Sequence, residues 1–187
     1  FVMEFRAGDV FIKGANAVDP AGNAGILVGG TQGGTVGEAW PIIMARGAHF
    51  IVPVGLEKLV PSVIEATAHC GSFRFKYSMG LPCGLVPLVN ALVVTEIQAL
   101  EILGGVSATH VASGGIGGSE GSVVLSVRGD EESLEKAFGL VKSVKGEPPV
   151  PAPPKVTPSA ASRNYEAMSL WLTQNPGLVA RSSRANR

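Results

Sequence analysis

The sequence predicts an α/β fold in which parallel strands alternate with helices, followed by a smaller α+β module. The apolar runs Val10–Ile12 and Phe50–Val54 lack the alternation of a strand with one solvent face, as is typical of parallel strands covered on both faces. A helix expected to start near Glu38 would link them, which predicts two adjacent, central parallel strands. After about residue 71 the pattern changes to strand, helix, strand, strand, helix.

The elements of the second module are predicted from hydrophobic periodicity and from the glycines at which helices end. Residues 77–95 are uncharged and mostly apolar, but Pro82 and Pro87 exclude a membrane helix there and favour a buried loop before a strand. The glycine-rich segment 112–121 is expected to be a flexible hairpin loop, with a lid tip that folds over a ligand as the alternative. The predicted elements are a strand at 91–95, a helix at 96–103, strands at 107–112 and 122–128, and a helix at 131–145 with Leu134, Phe138 and Val141 on one stripe.

Three regions are therefore expected: an α/β domain over residues 1–71, an α+β module over 72–147, and a tail over 148–187. The tail begins with a proline-rich stretch typical of a semi-rigid, extended linker. Residues 164–173 carry enough apolar side chains for a short helix that docks on the same chain or on a neighbouring subunit. A sheet edge and a tail that both need covering favour a homo-oligomer.

Composition excludes several functions. The 187 residues are 45% hydrophobic and 16% charged, which is typical of a globular protein. Lys plus Arg and Asp plus Glu number 15 each, so no net field attracts nucleic acid or a membrane surface, and neither is expected as a partner. Two cysteines, Cys70 and Cys83, are too few for a disulfide framework and favour the cytoplasm. Their spacing from His69 matches no zinc pattern, so no metal or cofactor is expected.

The most informative segment is a glycine-dense loop over residues 28–38. Glycine tolerates positive φ and lets backbone N–H groups approach a ligand. If a helix begins near Gly37, its free N–H groups and dipole add to an anion site formed by the amides of Gly30, Gly33 and Gly34, with Lys13 adding a charge. The alternative is a surface loop that binds nothing.

The order strand, "GANAVDP", glycine-rich loop, Glu38, helix, strand 49–54 and Gly55-Leu-Glu-Lys58 resembles ribose-5-phosphate isomerase A over residues 9–60. It resembles more broadly the doubly wound superfamily of sugar-phosphate isomerases, glucosamine-6-phosphate deaminases and CoA transferases. The α+β pattern that follows resembles ferredoxin-like modules, including ACT domains and microcompartment shell domains. The resemblance implies a doubly wound, mostly parallel sheet with a lid-like, ferredoxin-like module.

Carried over residue by residue, the resemblance is incomplete. The isomerase has an acidic pair where this chain has Lys13 and Asn16, and its next glutamate falls on Ala17. Its loop lysine falls on Gly29, whereas its catalytic glutamate falls on Glu38. A glutamate in that place is a proton-shuttling base in the isomerase and an acyl nucleophile in CoA transferases. An acidic residue favoured in a first helical turn is the structural alternative.

The expected function is binding of a small anionic metabolite, phosphorylated or carboxylated, such as a sugar phosphate or an acyl-CoA, with isomerisation as its catalytic form. The alternative is a non-catalytic ligand-sensing or assembly protein on the same fold, which the missing carboxylates favour. Glu38 is the candidate catalytic residue. The candidate ligand-binding residues are Lys13, Asn16, Gly29, Gly30, Thr31, Gly33, Gly34, Thr35 and Lys58.

Overall fold

A computed structural model describes residues 2–30 and 32–146 of the chain. Residues up to Lys145 form one compact unit, and a second unit begins at Gly146. The linker and tail predicted for residues 148–187 lie outside the described residues. The compact unit is a mixed α/β structure with one small parallel sheet and two small antiparallel sheets.

The described chain contains eight strands and four α-helices, with short 3₁₀ turns at Val2–Glu4 and Leu56–Lys58. In chain order the elements are β1 (Val10–Ile12), β2 (Ala17–Val18), β3 (Ala24–Val28), α1 (Gly34–Arg46), β4 (His49–Pro53), α2 (Val63–Ala68), β5 (Gly84–Leu88), β6 (Leu92–Val94), α3 (Glu96–Gly104), β7 (Ser107–Ser113), β8 (Val123–Arg128) and α4 (Glu131–Val144).

The parallel sheet has the order β1-β4-β6, and α1 lies between β1 and β4 in the chain. Phe11 pairs with Phe50, so the predicted adjacent, parallel arrangement of these strands is confirmed. The prediction that both strands are central is correct for β4, the middle strand, and wrong for β1, and neither strand is fully buried on both faces. β1 lies at the edge, and Val10 and Ile12 are 47% and 63% exposed, because only Phe11 of this three-residue strand points to the core.

A hairpin that the sequence analysis did not predict interrupts the crossover between β1 and α1. β2 and β3 pair antiparallel around a turn at residues 19–23, and β5 pairs along the other side of β3. Residues 84–88 are therefore a strand and not part of a buried loop, and Tyr77 before them is exposed. Pro87 is tolerated because β5 is an edge strand, where a missing N–H can face away from the ladder.

The elements of the second module agree with prediction to within a residue or two. β7 and β8 form an antiparallel hairpin around the predicted glycine-rich loop, with a register shift between His110 and Ala112. The first strand of this second module, β6, hydrogen-bonds to β4, which belongs to the first predicted domain. The boundary expected at residue 71 therefore separates strands that belong to one sheet within a single compact unit.

Three apolar clusters organise the described unit. The largest packs α1 against one face of the parallel sheet, with Phe11 and Phe50 in an edge-to-face contact at a centroid distance of 5.4 Å. A cluster around Ala17, Val63 and Leu85 joins β2, α2 and β5. The third joins α3, α4 and the β7–β8 hairpin around Leu100 and Ala137. Its few fully buried residues leave much of α4 exposed. None of the helices in residues 2–30 and 32–146 combines the length and the apolar character needed to cross a membrane.

Candidate functional site

Helix α1 directs its amino terminus toward the carboxyl ends of the parallel strands. Gly47, with φ of 68°, ends the helix, and the chain reverses at once into β4. The N–H of Ala48 donates to the carbonyl of Ile43 at 3.2 Å, which fixes this reversal. The glycine-rich loop before α1 therefore lies toward the carboxyl ends of β1 and β4.

The start of α1 is shaped by glycines. The helix begins at Gly34 and not near Gly37, because Gly33 and Gly34 adopt left-handed φ values of 79° and 57° that turn the loop into the first helical turn. Gly33 occupies the N-cap position and has no side chain that could accept from the first-turn N–H groups. Its own N–H donates to the carbonyl of Gly30 at 3.0 Å.

Lys13 follows β1 along the same edge. Its N–H donates to the carbonyl of Ile51 at 3.1 Å, and the N–H of Ala15 donates to that of Pro53 at 3.4 Å. The chain therefore continues alongside β4 beyond the formal end of β1. Lys13 is half-buried and, by the register of β1 and β4, lies beside Val52, one residue before β4 ends.

Asn16 is engaged in a structural role. Its side-chain Oδ1 accepts from the N–H of Leu27 at 3.0 Å, and its own N–H donates to the carbonyl of Gly25 at 2.8 Å. The side chain thus ties the segment after β1 to β3. An amide oxygen accepts hydrogen bonds but is not a base at neutral pH, so Asn16 cannot replace a proton-accepting carboxylate.

The remaining predicted residues of the loop and of α1 differ in how accessible they are. Gly30, Thr35 and Glu38 are exposed around the start of α1, and Thr31 lies outside the described residues. A Cβ at Gly29 would collide with the side chain of Leu81, so the segment before β5 covers this part of the loop.

Lys58 does not contribute an unpaired charge to this edge. It lies in the 3₁₀ turn after β4, where its Nζ is 3.4 Å from Oε1 of Glu57. Both groups are partly exposed, so the pair contributes little to stability. Lys13 is therefore the better candidate for a cationic contact with a ligand.

A cleft of about 350 Å³ lies at the carboxyl ends of β4 and β6, and the sequence analysis did not predict it. Leu56 and Val93 form part of its apolar wall. Its polar lining comes from the β2–β3 turn, the start of α3 and strand β7, through Asp19, Thr95, Gln98 and His110.

Asp19 is the buried charge of this cleft, with 5% of its surface exposed. Its carboxylate accepts from the N–H of Val63 at 2.9 Å and from the N–H of Asn23 and Ala21 at 2.9 and 3.1 Å. Burial by itself raises the pKa of Asp19, but these donors and the Asn23 amide outweigh it and hold the pKa below its usual value. The group is an ionised structural anchor between the hairpin turn and α2.

The start of α3 is equally engaged in structure. Thr95 caps the helix by accepting from the N–H of Ile97 at 3.3 Å, and Oε1 of Gln98 accepts from the N–H of Thr95 at 2.9 Å. Oε2 of Glu96 accepts from the N–H of Leu56 at 2.9 Å, which joins α3 to the turn after β4. The Thr-x-x-Gln spacing of Thr95 and Gln98 is a capping-box signal that is visible in the sequence.

No protein-family model, no curated protein and no solved structure matches this chain significantly.

Proposed function

We propose that this chain binds a small phosphorylated or carboxylated metabolite, such as a sugar phosphate or a short acyl-CoA, at the carboxyl edge of its parallel sheet. The start of α1 carries the proposal, because its N-cap residue is a glycine with no side chain to accept from the first-turn N–H groups, and Lys13 lies beside β4 close to the carboxyl end of that strand. The proposal includes the doubly wound, isomerase- and CoA-transferase-like assignment of the fold.

The electrostatics of this edge support an anion. The first-turn N–H groups and the helix dipole supply positive potential, and the ammonium of Lys13 adds a full charge. The carboxylate of Glu38 repels a bound anion only when it points at the anion site, and the repulsion is then about 1 to 4 kcal/mol at contact distance. Glu38 is exposed and can turn toward solvent, which leaves the attraction dominant.

The catalytic form of the proposal assigns Glu38 as a proton-transfer base in an isomerisation, or as a nucleophile toward an acyl-CoA. Either role needs a closed pocket that brings the substrate to the carboxylate. The carboxylates that the isomerase has at the positions of Lys13 and Asn16 are missing, and the Asn16 amide accepts a hydrogen bond from the N–H of Leu27. The proposal is therefore that the chain binds a metabolite, and catalytic turnover by Glu38 is an additional claim.

Phosphate titration followed by amide NMR of the full chain tests the binding site. We expect saturable shifts at Gly33, Gly34 and Thr35, weakened at least threefold by Lys13→Gln. Lys136→Gln is the matched control, because it removes one exposed lysine from α4. Shifts that are absent from the loop, or that both variants weaken equally, would contradict the proposal.

A non-catalytic sensing or assembly role is the second candidate. One observation favours it: the polar groups of the cleft at Asp19 and Thr95 are committed to backbone donors and caps, while apolar side chains of α4 remain exposed. A thermal-shift panel of sugar phosphates, short acyl-CoAs and nucleotides separates the two, because a bound ligand raises the unfolding temperature by mass action. Stabilisation without turnover of any member supports the sensing role.

Two further assignments belong to this proposal. The thiols of Cys70 and Cys83 are free, in keeping with the reducing cytoplasm that we propose as the compartment. We also propose a homo-oligomer, for which the structure suggests a specific surface.

A further inference from the structure

Helix α4 carries an apolar stripe that the described chain leaves open. Phe138 and Val141 are 62% and 41% exposed, and Leu134 is half-buried. Ala137, about 100° around the helix from Phe138, is instead buried against α3. An amphipathic helix normally buries its apolar stripe, so this side of α4 has the character of a contact surface.

Charged residues border the stripe in an ordered way. Glu131 and Glu135 precede Phe138, Lys142 and Lys145 follow it, and all four are exposed. At 3.6 residues per turn, Glu131, Glu135 and Lys142 lie within about 60° of Phe138 on the helix surface, and Lys145 is the C-cap residue that directly follows the helix. We call residues 131, 134, 135, 138, 141, 142 and 145 the α4 stripe. It is acidic at its amino end, apolar at its centre and basic at its carboxyl end.

We propose that the α4 stripe packs antiparallel against the α4 stripe of a second copy, with a two-fold axis beside Phe138. A two-fold interface uses the same patch on both subunits, so the patch must be complementary to itself. Antiparallel packing places Glu131 opposite the partner's Lys145 and Glu135 near the partner's Lys142. Parallel packing would instead set like charges against each other.

The order of charges along the α4 stripe also indicates which partner binds this surface. A surface that reads acidic, apolar, basic along one helix is complementary to its own reverse, and a second copy supplies that reverse without any further protein. Opposite charges across the interface fix the direction of packing, whereas the apolar centre supplies the buried area.

The centre of the stripe has the form of an aromatic anchor. Nζ of Lys142 lies 4.7 Å from the centroid of the Phe138 ring, and Phe138 is 62% exposed. A cavity of about 350 Å³ borders Phe138, between α4 and the side chains of Leu100 and Val127. An aromatic side chain that enters an apolar pocket at the middle of an interface is the usual energetic centre of such a contact.

Sedimentation equilibrium of the full chain over a concentration series tests the packing. We expect a reversible dimer. Glu131→Lys combined with Glu135→Lys gives an all-basic stripe, and Lys142→Glu combined with Lys145→Glu gives an all-acidic one. Each variant alone should dimerise at least tenfold more weakly than the parent chain, whereas a 1:1 mixture should form a heterodimer at least as tight as the parent dimer at low salt.

A matched control separates position from net charge. Glu65→Lys combined with Glu132→Lys changes the charge by the same amount as the basic-stripe variant, but Glu65 lies on α2 and Glu132 lies about 120° away from Phe138. This control should retain the parent dimer. Circular dichroism of every variant checks that the helices are intact, and recovery in the mixture shows that neither stripe variant has lost its fold.

Three results would overturn the proposal. The first is a parent chain that stays monomeric at all concentrations, which would leave the stripe to another occupant. The second is a dimer that both stripe variants preserve, and the third is a mixture of well-folded variants that fails to pair.

Discussion

The carboxylate of Asp19 accepts a hydrogen bond of 2.9 Å from the N–H of Val63, the first residue of α2. This bond joins the β2–β3 turn to a helix that begins 44 residues later in the chain. Both groups are buried, so water cannot replace either partner when the other is removed.

Asp19→Asn should therefore destabilise the protein by about 1 to 3 kcal/mol, because the amide retains one acceptor and leaves buried N–H groups without a partner. Urea denaturation followed by circular dichroism measures the change. Glu65→Gln, which removes an exposed carboxylate from α2, should change stability by less than about 0.5 kcal/mol. Equal effects of the two variants would count against the anchoring role of Asp19.

The same carboxylate predicts an acid-sensitive fold. The folded-state pKa of Asp19 lies below its value of about 3.9 in an unfolded chain. The unfolded state therefore binds the proton more readily, and the stabilisation is complete above about pH 4 and lost as the pH falls through the folded-state pKa. The stability difference between the parent chain and Asp19→Asn should shrink over that range. A difference that stays constant from pH 6 to pH 2 would contradict this.

Two glycine-to-alanine changes should act in opposite directions. At Gly34, with φ of 57°, alanine should cost about 1 to 2 kcal/mol, because a Cβ is strained in the left-handed region. At Gly139, in the interior of α4 with open space around it, alanine should stabilise by about 0.5 to 1 kcal/mol. Thermal unfolding of both variants measures the signs. A stabilising Gly34→Ala would mean that the start of α1 relaxes to an ordinary helical turn.

Ribose-5-phosphate isomerisation should be absent or very slow. The Oδ1 of Asn16 accepts from the N–H of Leu27, and a neutral amide supplies neither the charge nor the proton acceptance of a carboxylate. A coupled assay with ribose 5-phosphate checks this directly. Rapid turnover, lost on Glu38→Gln, would instead establish the catalytic form of the proposed function.

The extent to which sequence predicts this fold depends on how local the signal is. β8 could be predicted because Val123, Leu125 and Val127 alternate with outward-facing residues, and α4 because Asp130 caps a 3.6-residue pattern. β3 and β5 could not, since an internal Gly25 and Pro87 obscure strands whose stability comes from pairing with each other.

The candidate site shows the same division. The left-handed glycines at positions 33 and 34 follow from glycine chemistry, whereas their use in a helix starting at Gly34 depends on the packing of Val36 and Ile43 against the sheet. The cleft beside Asp19 was missed because its walls come from segments far apart in sequence. No local pattern in the sequence indicates that Val63 will meet Asp19.

The position of β6 in the parallel sheet bears on how the protein is made. β1 and β4 are separated by a hairpin and a helix, and β6 joins their sheet only after α2 and β5 have been synthesised. On the ribosome, β4 therefore emerges before β6, the strand that pairs with one of its edges, has been synthesised. The β7–β8 hairpin, by contrast, can form as soon as its two strands have emerged. Pairing of distant segments is slow, so translation speed between residues 54 and 92 should influence the yield of folded protein.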